Sequence, residues 1–183
     1  MNTPTAVSQG RPTLLGFSTP RHFNPVSWVV RRFTGSECSH CFFLYWDDDF
    51  QCDMVLESHE LGFRLITWQR FVANNRIIAL IEPLHPLEMG FIKLGDWVGS
   101  AYDFQGLFGQ SLVQVGRWMK RKWLNPSQSS KAMFCSESIV RCMQWAEHPE
   151  AATFSPKETT PQDLLTFYRE ATRGKALDIQ PWA

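Results

Sequence analysis

One cysteine of the chain stands where a thiol would gain reactivity. Cys135 follows a short apolar stretch and precedes a segment in which Ile139 and Met143 share one helical face. This spacing predicts that Cys135 lies at or just inside a helix N-terminus, with Ser136 and Ser138 available for capping. Unpaired backbone N–H groups and the helix dipole favour the thiolate there, and the thiolate is the nucleophilic form of cysteine.

A cysteine nucleophile needs a histidine that accepts its proton and a polar group that orients this histidine. The chain has five histidines, His22, His40, His59, His85 and His148. His40 differs from the others because it lies near the start of an apolar strand predicted over residues 38–46. A histidine at a strand end can face a helix N-terminus that packs on the same sheet. His40 is therefore the candidate base for Cys135.

The elements that must position these two residues are a mixture of strands and helices. Strands are predicted near residues 13–17, 38–46, 52–59, 62–68 and 77–81, and the three middle ones are expected to form a meander. Helices are predicted after Asn24-Pro25, over 86–98 and 111–123, after Cys135, and after the capping signature that begins at Thr160. We expect a single α+β domain over residues 1–183, with a loose lead-in over about residues 1–12.

Composition excludes several classes of function. Lys plus Arg and Asp plus Glu both number 18, so no net charge favours nucleic acid or an anionic membrane as a partner. No stretch approaches the roughly 18 apolar residues of a membrane span. The polar N-terminus predicts no signal peptide, and five scattered cysteines predict a reducing compartment rather than a disulfide framework.

Four short motifs occur in an order that resembles a known family. They are Ser39-His40 entering an apolar strand, Met54–Ser58 followed by Gly62-Phe63-Arg64, Tyr102-Asp103-Phe104, and Phe134-Cys135-Ser136-Glu137. Together they span about residues 13–145, and their order resembles the circularly permuted branch of the papain-like, NlpC-type thiol hydrolases. In that branch the histidine precedes the cysteine.

The resemblance implies a papain-like fold, in which an antiparallel β-meander or barrel packs against helices. It implies that Cys135 is the nucleophile, that His40 acts first as general base and then as general acid, and that Glu57 orients His40. It also implies that Tyr102 contacts the substrate or the oxyanion. The backbone N–H of Cys135 is a further candidate for holding the oxyanion.

The chain also departs from the family pattern. The Gly-Asp pair that commonly begins the first strand is replaced by Gly16-Phe17-Ser18-Thr19. The third catalytic position varies in the family, so His59 and Glu60 remain open beside Glu57. Cys38 and Cys41 flank His40, and with Cys52 and His59 they offer an alternative zinc site. An odd separation along a strand would direct Cys38 and Cys41 to opposite faces, so we expect no metal and no cofactor.

Alone, Cys135 would more often be a buried structural cysteine. Together with the other motifs it leads to three expectations for function. The first is an amidase or peptidase that works through an acyl-enzyme, with a peptide or acyl-amide substrate and peptidoglycan as one substrate class. The second is an acyltransferase or thioesterase for lipid-type substrates, and the third is a catalytically silent binding or virion module. A cytoplasmic location is expected, or the virion or host cytoplasm for a phage protein. The sequence leaves the oligomeric state open.

Overall fold

The computed structural model describes residues 11–22, 24, 27–28, 31–32, 35–59, 62–102 and 132–172. Within them the fold is α+β, as predicted, with one five-stranded antiparallel sheet in the order β4-β3-β2-β1-β5. The strands are β1 (Leu14–Pro20), β2 (His40–Asp47), β3 (Cys52–His59), β4 (Gly62–Thr67) and β5 (Asn75–Ile81). The α-helices are α1 (Trp68–Asn74), α2 (Glu88–Gly95), α3 (Cys135–Trp145) and α4 (Pro161–Ala171), and a 3-10 helix spans Pro149–Thr153.

The two faces of β2 serve two hydrophobic clusters, as its alternating side chains predict. Phe42 and Leu44 pack in a cluster with Trp68 and Phe71 of α1. The intervening Cys41 and Phe43 belong to the larger cluster, which contains Cys135, Ile139, Val140, Cys142 and Met143 of α3. The strand that begins with His40 therefore lies between α1 on one face and α3 on the other.

The described strands form an open sheet rather than a barrel, because its edge strands β4 and β5 do not pair with each other. The predicted strand over 77–81 is present as β5, but it pairs with β1 across the sheet and does not extend the meander. The strand predicted to run to Trp68 ends at Thr67. Trp68 instead begins α1, a helix that was not predicted from the sequence. Trp68 and Phe71 belong to the cluster that contains Phe42 and Leu44.

Several predicted helix signals are confirmed. Thr160 and Asp163 form the predicted capping box at the start of α4. Asn24 accepts a hydrogen bond from the backbone N–H of Ser27 at 3.0 Å, as expected of an N-cap. Helix α2 lies within the predicted range 86–98. The helix predicted over 111–123 lies outside the described residues, as do Asp103-Phe104 and most of the lead-in.

A close helix–helix approach explains Gly90 of α2. A Cβ atom at this position would lie 2.0 Å from the backbone oxygen of Cys142 in α3. Only glycine therefore permits this packing of α2 on the helix that Cys135 begins. In the part of the chain that the structure describes, no helix has the length and apolar character needed to cross a membrane.

Candidate active site

Cys135 is the first residue of α3, as its sequence context predicts. Phe134 is the N-cap residue, with extended backbone, and its side chain makes no capping hydrogen bond. The prediction that Ser136 and Ser138 cap the helix is wrong. Ser136 Oγ donates to the backbone oxygen of Thr159 at 2.7 Å, and Ser138 Oγ donates back to the oxygen of Cys135 at 2.7 Å. Among the residues that the structure describes, no side-chain cap therefore competes for the N–H groups of the first turn.

Short strand contacts hold the residues before Cys135. β6 (Ala101–Tyr102) and β7 (Ala132–Met133) form a parallel pair in which Tyr102 lies beside Met133. Ser58 near the end of β3 donates a hydrogen bond to the backbone oxygen of Met133. The chain that enters α3 is thereby tied to β3, the strand that carries Glu57. The side chain of Tyr102 is not described, so its contact with substrate stays a prediction.

His40 and Glu57 meet across the sheet. His40 Nε2 lies 2.7 Å from Glu57 Oε2, and only 2% of the Glu57 side chain is exposed. The His40 ring packs beside Phe42 and Phe71, with ring centroids 6.3 and 6.2 Å away. Of the three candidates for the orienting residue, the structure brings Glu57 to His40. Glu60 lies outside the described residues.

Arg64 is a second partner of Glu57, and this role was not predicted from the sequence. Its Nε and Nη2 atoms donate to Glu57 Oε1 at 2.9 and 2.7 Å, so each carboxylate oxygen of Glu57 has its own partner. Glu57 and Arg64 lie directly opposite each other in the β3–β4 pair. The pairing of Arg64 with Glu57 could have been predicted from the sequence, because a short connection between two strands fixes which residues face each other.

The charges of His40 and Glu57 stabilise one another. Burial acts to raise the pKa of Glu57, but the hydrogen bonds and charges of His40 and then Arg64 outweigh it and lower this pKa to about 2. Burial acts to lower the pKa of His40, but its hydrogen bonds with Cys135 and Glu57 and their charges outweigh it and raise this pKa to about 10. These interactions favour the charged imidazolium form of His40.

Cys135 is the third member of this arrangement. A hydrogen bond from the Cys41 thiol, followed by the hydrogen bond and charge of His40, holds the pKa of Cys135 well below its ordinary value despite burial. The backbone of Cys41 contributes to the same lowering of the Cys135 pKa. Nε2 of His40 faces Glu57, and the positive charge of the ring acts on Cys135. The favoured state is a thiolate–imidazolium pair.

The role of Cys41 could not be found from sequence motifs alone. Burial raises the pKa of the Cys41 thiol well above its ordinary value, so this thiol stays protonated and can donate to the Cys135 sulfur. Its position follows from the alternation of β2, which places Cys41 in the cluster that contains Cys135 and Ile139 of α3. The residue that looked like a departure from the family pattern thus supports the thiolate.

The argument that Cys38 and Cys41 point to opposite faces is wrong. β2 begins at His40, so strand alternation does not apply to Cys38, and both cysteines belong to the cluster that contains Cys135. Burial raises the pKa of Cys38 to about 12 and that of Cys142 to about 12 as well. Among the residues that the structure describes, no group of three or more His, Cys, Asp or Glu residues could hold a metal ion.

A scan against known protein families and a search of curated proteins both found no match for this chain. The chemistry of the site therefore has to be argued from its own geometry. An open-sheet α+β fold presents a low-pKa thiol at a helix N-terminus, a charged imidazole beside it and a buried carboxylate behind the imidazole. A site of this kind can form a covalent bond to a carbonyl carbon and supply a proton to the group that leaves.

Proposed function

We propose that this protein is a cysteine-dependent hydrolase that cleaves an amide or ester bond through an acyl-enzyme. The observation that carries the proposal is the position of His40, whose ring lies 2.7 Å from the buried Glu57 carboxylate and close enough to Cys135 for each side chain to shift the pKa of the other. A structural cysteine in a hydrophobic core has a raised pKa, as Cys38 and Cys142 do. Cys135 has a lowered one in the same cluster, and that contrast favours a reactive role.

The first half-reaction begins from the Cys135 thiolate and the His40 imidazolium. The Cys135 thiolate attacks the carbonyl carbon, and the carbonyl oxygen takes up the electron pair as an oxyanion. The backbone N–H groups at the start of α3 face developing negative charge, and the Cys135 N–H is the first of them. His40 then gives its proton to the leaving amine or alcohol, the bond to that group breaks, and a thioester to Cys135 remains.

The second half-reaction reverses these roles. The neutral imidazole of His40 takes a proton from a water molecule, whose oxygen attacks the thioester carbon. The carbon–sulfur bond breaks, the acid product leaves, and Cys135 returns as a thiolate beside the imidazolium. Glu57 stays ionised throughout, because its pKa of about 2 is far below neutrality. It stabilises the charged imidazole and fixes the ring orientation.

The proposal includes a papain-like fold in circularly permuted order, with the histidine strand before the nucleophile helix. The observations that support it are the sheet against α3 and a nucleophile at the first residue of that helix. Within this class we propose an amide or peptide bond as the scissile bond and a cell-wall peptide as one substrate class. The Cys135–His40 pair on its own gives no preference among acyl groups.

The proposal is tested by trapping the acyl-enzyme. Wild-type protein is mixed with an activated acyl ester, and intact-mass and peptide mass spectrometry locate the acyl group. We expect one acyl group on Cys135, none in Cys135→Ala, and an unchanged result in Cys52→Ala. Cys52 is the matched control because it is a partly exposed thiol away from His40. Acylation that follows Cys52, or a folded wild type that takes up no acyl group, would favour a binding module instead.

A further inference from the structure

A basic groove opens where β1 ends and β2 begins. It has a volume of about 420 Å³. Its lining includes Thr19, Arg21, His22, Trp28, Arg31 and Arg32. Three of these are arginines and one is a histidine, and none is acidic. The whole chain carries equal numbers of basic and acidic residues, so this local excess is a property of the groove and not of the composition.

The three arginines of the groove have no ion pair within the part of the chain that the structure describes. Arg21 Nε donates to the backbone oxygens of Val72 and Asn75 at 2.9 and 3.2 Å. Arg31 Nη1 donates to Thr19 Oγ1 at 3.3 Å. Neutral acceptors thus hold two of the guanidinium groups in place without cancelling their charge. Like charges gathered in this way repel one another, and a bound anion would relieve that repulsion.

The groove adjoins the candidate active site. Ser27 Oγ in its wall lies 2.6 Å from Ser39 Oγ, and Ser39 directly precedes His40. Thr19 in the same wall follows Ser18, which pairs with His40 between β1 and β2. The wall of the groove is therefore joined to the β1–β2 pair at the position that holds His40.

We propose that this groove binds an anionic group of the substrate, a carboxylate or a phosphate. The inference rests on the proposed function, because it assigns the groove to the substrate of that same site. Guanidinium groups present paired N–H donors that match the oxygens of both anions. Trp28, with 55% of its surface exposed beside Arg31, offers an aromatic face for the adjoining part of the same molecule.

Direct titration tests the groove without relying on catalysis. Cys135→Ala protein is titrated at low salt with inorganic pyrophosphate and, separately, with succinate, and calorimetry measures the affinity. We expect saturable binding of at least one of the two, weakened by about tenfold or more in the background of Arg31→Gln with Arg32→Gln. Arg21 is left intact because its bonds to Val72 and Asn75 tie β1 to the α1–β5 connection. Preferential binding of pyrophosphate would indicate a phosphate on the substrate, and preferential binding of succinate would indicate a carboxylate.

The matched control removes two exposed basic residues elsewhere, Arg70→Gln with Lys93→Gln, and should leave the affinity unchanged. Absence of binding by both anions would overturn the proposal, and so would equal affinity in the two double variants. Because the titrated protein has no nucleophile, these results do not depend on acyl-enzyme formation. A failure of the proposed hydrolase would appear only in the trapping experiment.

A second readout places the groove next to the thiol. Iodoacetate and iodoacetamide alkylate the same sulfur and differ in charge. In wild type we expect the arginines of the groove to attract the negatively charged iodoacetate and to raise its rate constant of alkylation. The ratio of this rate constant to that of iodoacetamide should therefore fall by about threefold or more in the Arg31→Gln, Arg32→Gln protein. The Arg70→Gln, Lys93→Gln protein should keep the wild-type ratio. A ratio that both double variants share would mean that the groove does not serve the Cys135 site.

Discussion

Replacing Glu57 with Gln is the most informative single change, because it keeps the shape of the side chain and removes one charge. Glu57 Oε2 lies 2.7 Å from the ring of His40, and the His40 side chain is only 16% exposed. Two unit charges about 4 Å apart interact by about 4 kcal/mol at an effective dielectric constant near 20. The loss of this attraction should lower the pKa of His40 by about 1 to 3 pH units.

The orphaned Arg64 guanidinium adds to the effect, since it then faces the imidazolium without a carboxylate between them. When the pKa of His40 falls, the charged form of its ring is less favoured, and the Cys135 thiolate is stabilised less. The step in which the Cys135–His40 pair forms its thiolate should therefore move to higher pH in Glu57→Gln. The variant should also lose about 3 kcal/mol of unfolding free energy, because a buried ion pair is left with one partner.

The assay is the rate constant for alkylation of Cys135 by iodoacetamide as a function of pH. In wild type, the low pKa of Cys135 predicts a rate that is already high in mildly acidic solution, and in Glu57→Gln the acidic midpoint should rise. Asp53→Asn is the matched control on the same strand, since Asp53 pairs with Arg11 and not with His40. An unchanged midpoint in folded Glu57→Gln would refute the role given to Glu57.

Two further changes test the surroundings of the site. Cys41→Ala removes the thiol that donates to the Cys135 sulfur, so the acidic midpoint of alkylation should rise while the fold is kept; an unchanged midpoint would contradict the donor role. Gly90→Ala places a Cβ 2.0 Å from a backbone oxygen of α3 and should cost about 2 kcal/mol or more in urea unfolding. Gly95→Ala is its control in the same helix, because no atom of the described residues lies within 4 Å of a Cβ there. An equal loss in both variants would contradict the close packing inferred at Gly90.

Local sequence signals predicted the elements of the fold well, because each depends on neighbouring residues. The capping box at Thr160, the alternation of β2 and the helix that starts at Cys135 all have this local origin. The pairing of β5 with β1 could not be found in the same way, since it joins segments about 60 residues apart in the chain. Helix α1 was missed because seven residues with two buried side chains give too short a periodic pattern.

The residues of the candidate site also divide into those that sequence motifs predict and those whose roles depend on the three-dimensional packing. Cys135, His40 and Glu57 were assigned from motif order, and the structure brings the three together. Arg64 and Cys41 were missed as partners because their roles depend on strand register and on which face of β2 packs against α3. The order of the motifs pointed to the candidate residues, while the groups that shift their pKa values became visible only in three dimensions.

Our proposal for the site is that Cys135 and His40 share a proton as a thiolate–imidazolium pair. It is tested most directly by the ultraviolet absorbance of the thiolate in mildly acidic solution, as a difference between wild type and Cys135→Ala. We predict one thiolate per wild-type molecule and the loss of that signal in His40→Ala. A wild type that shows no thiolate until alkaline pH, or a signal that persists without His40, would contradict the proposed chemistry.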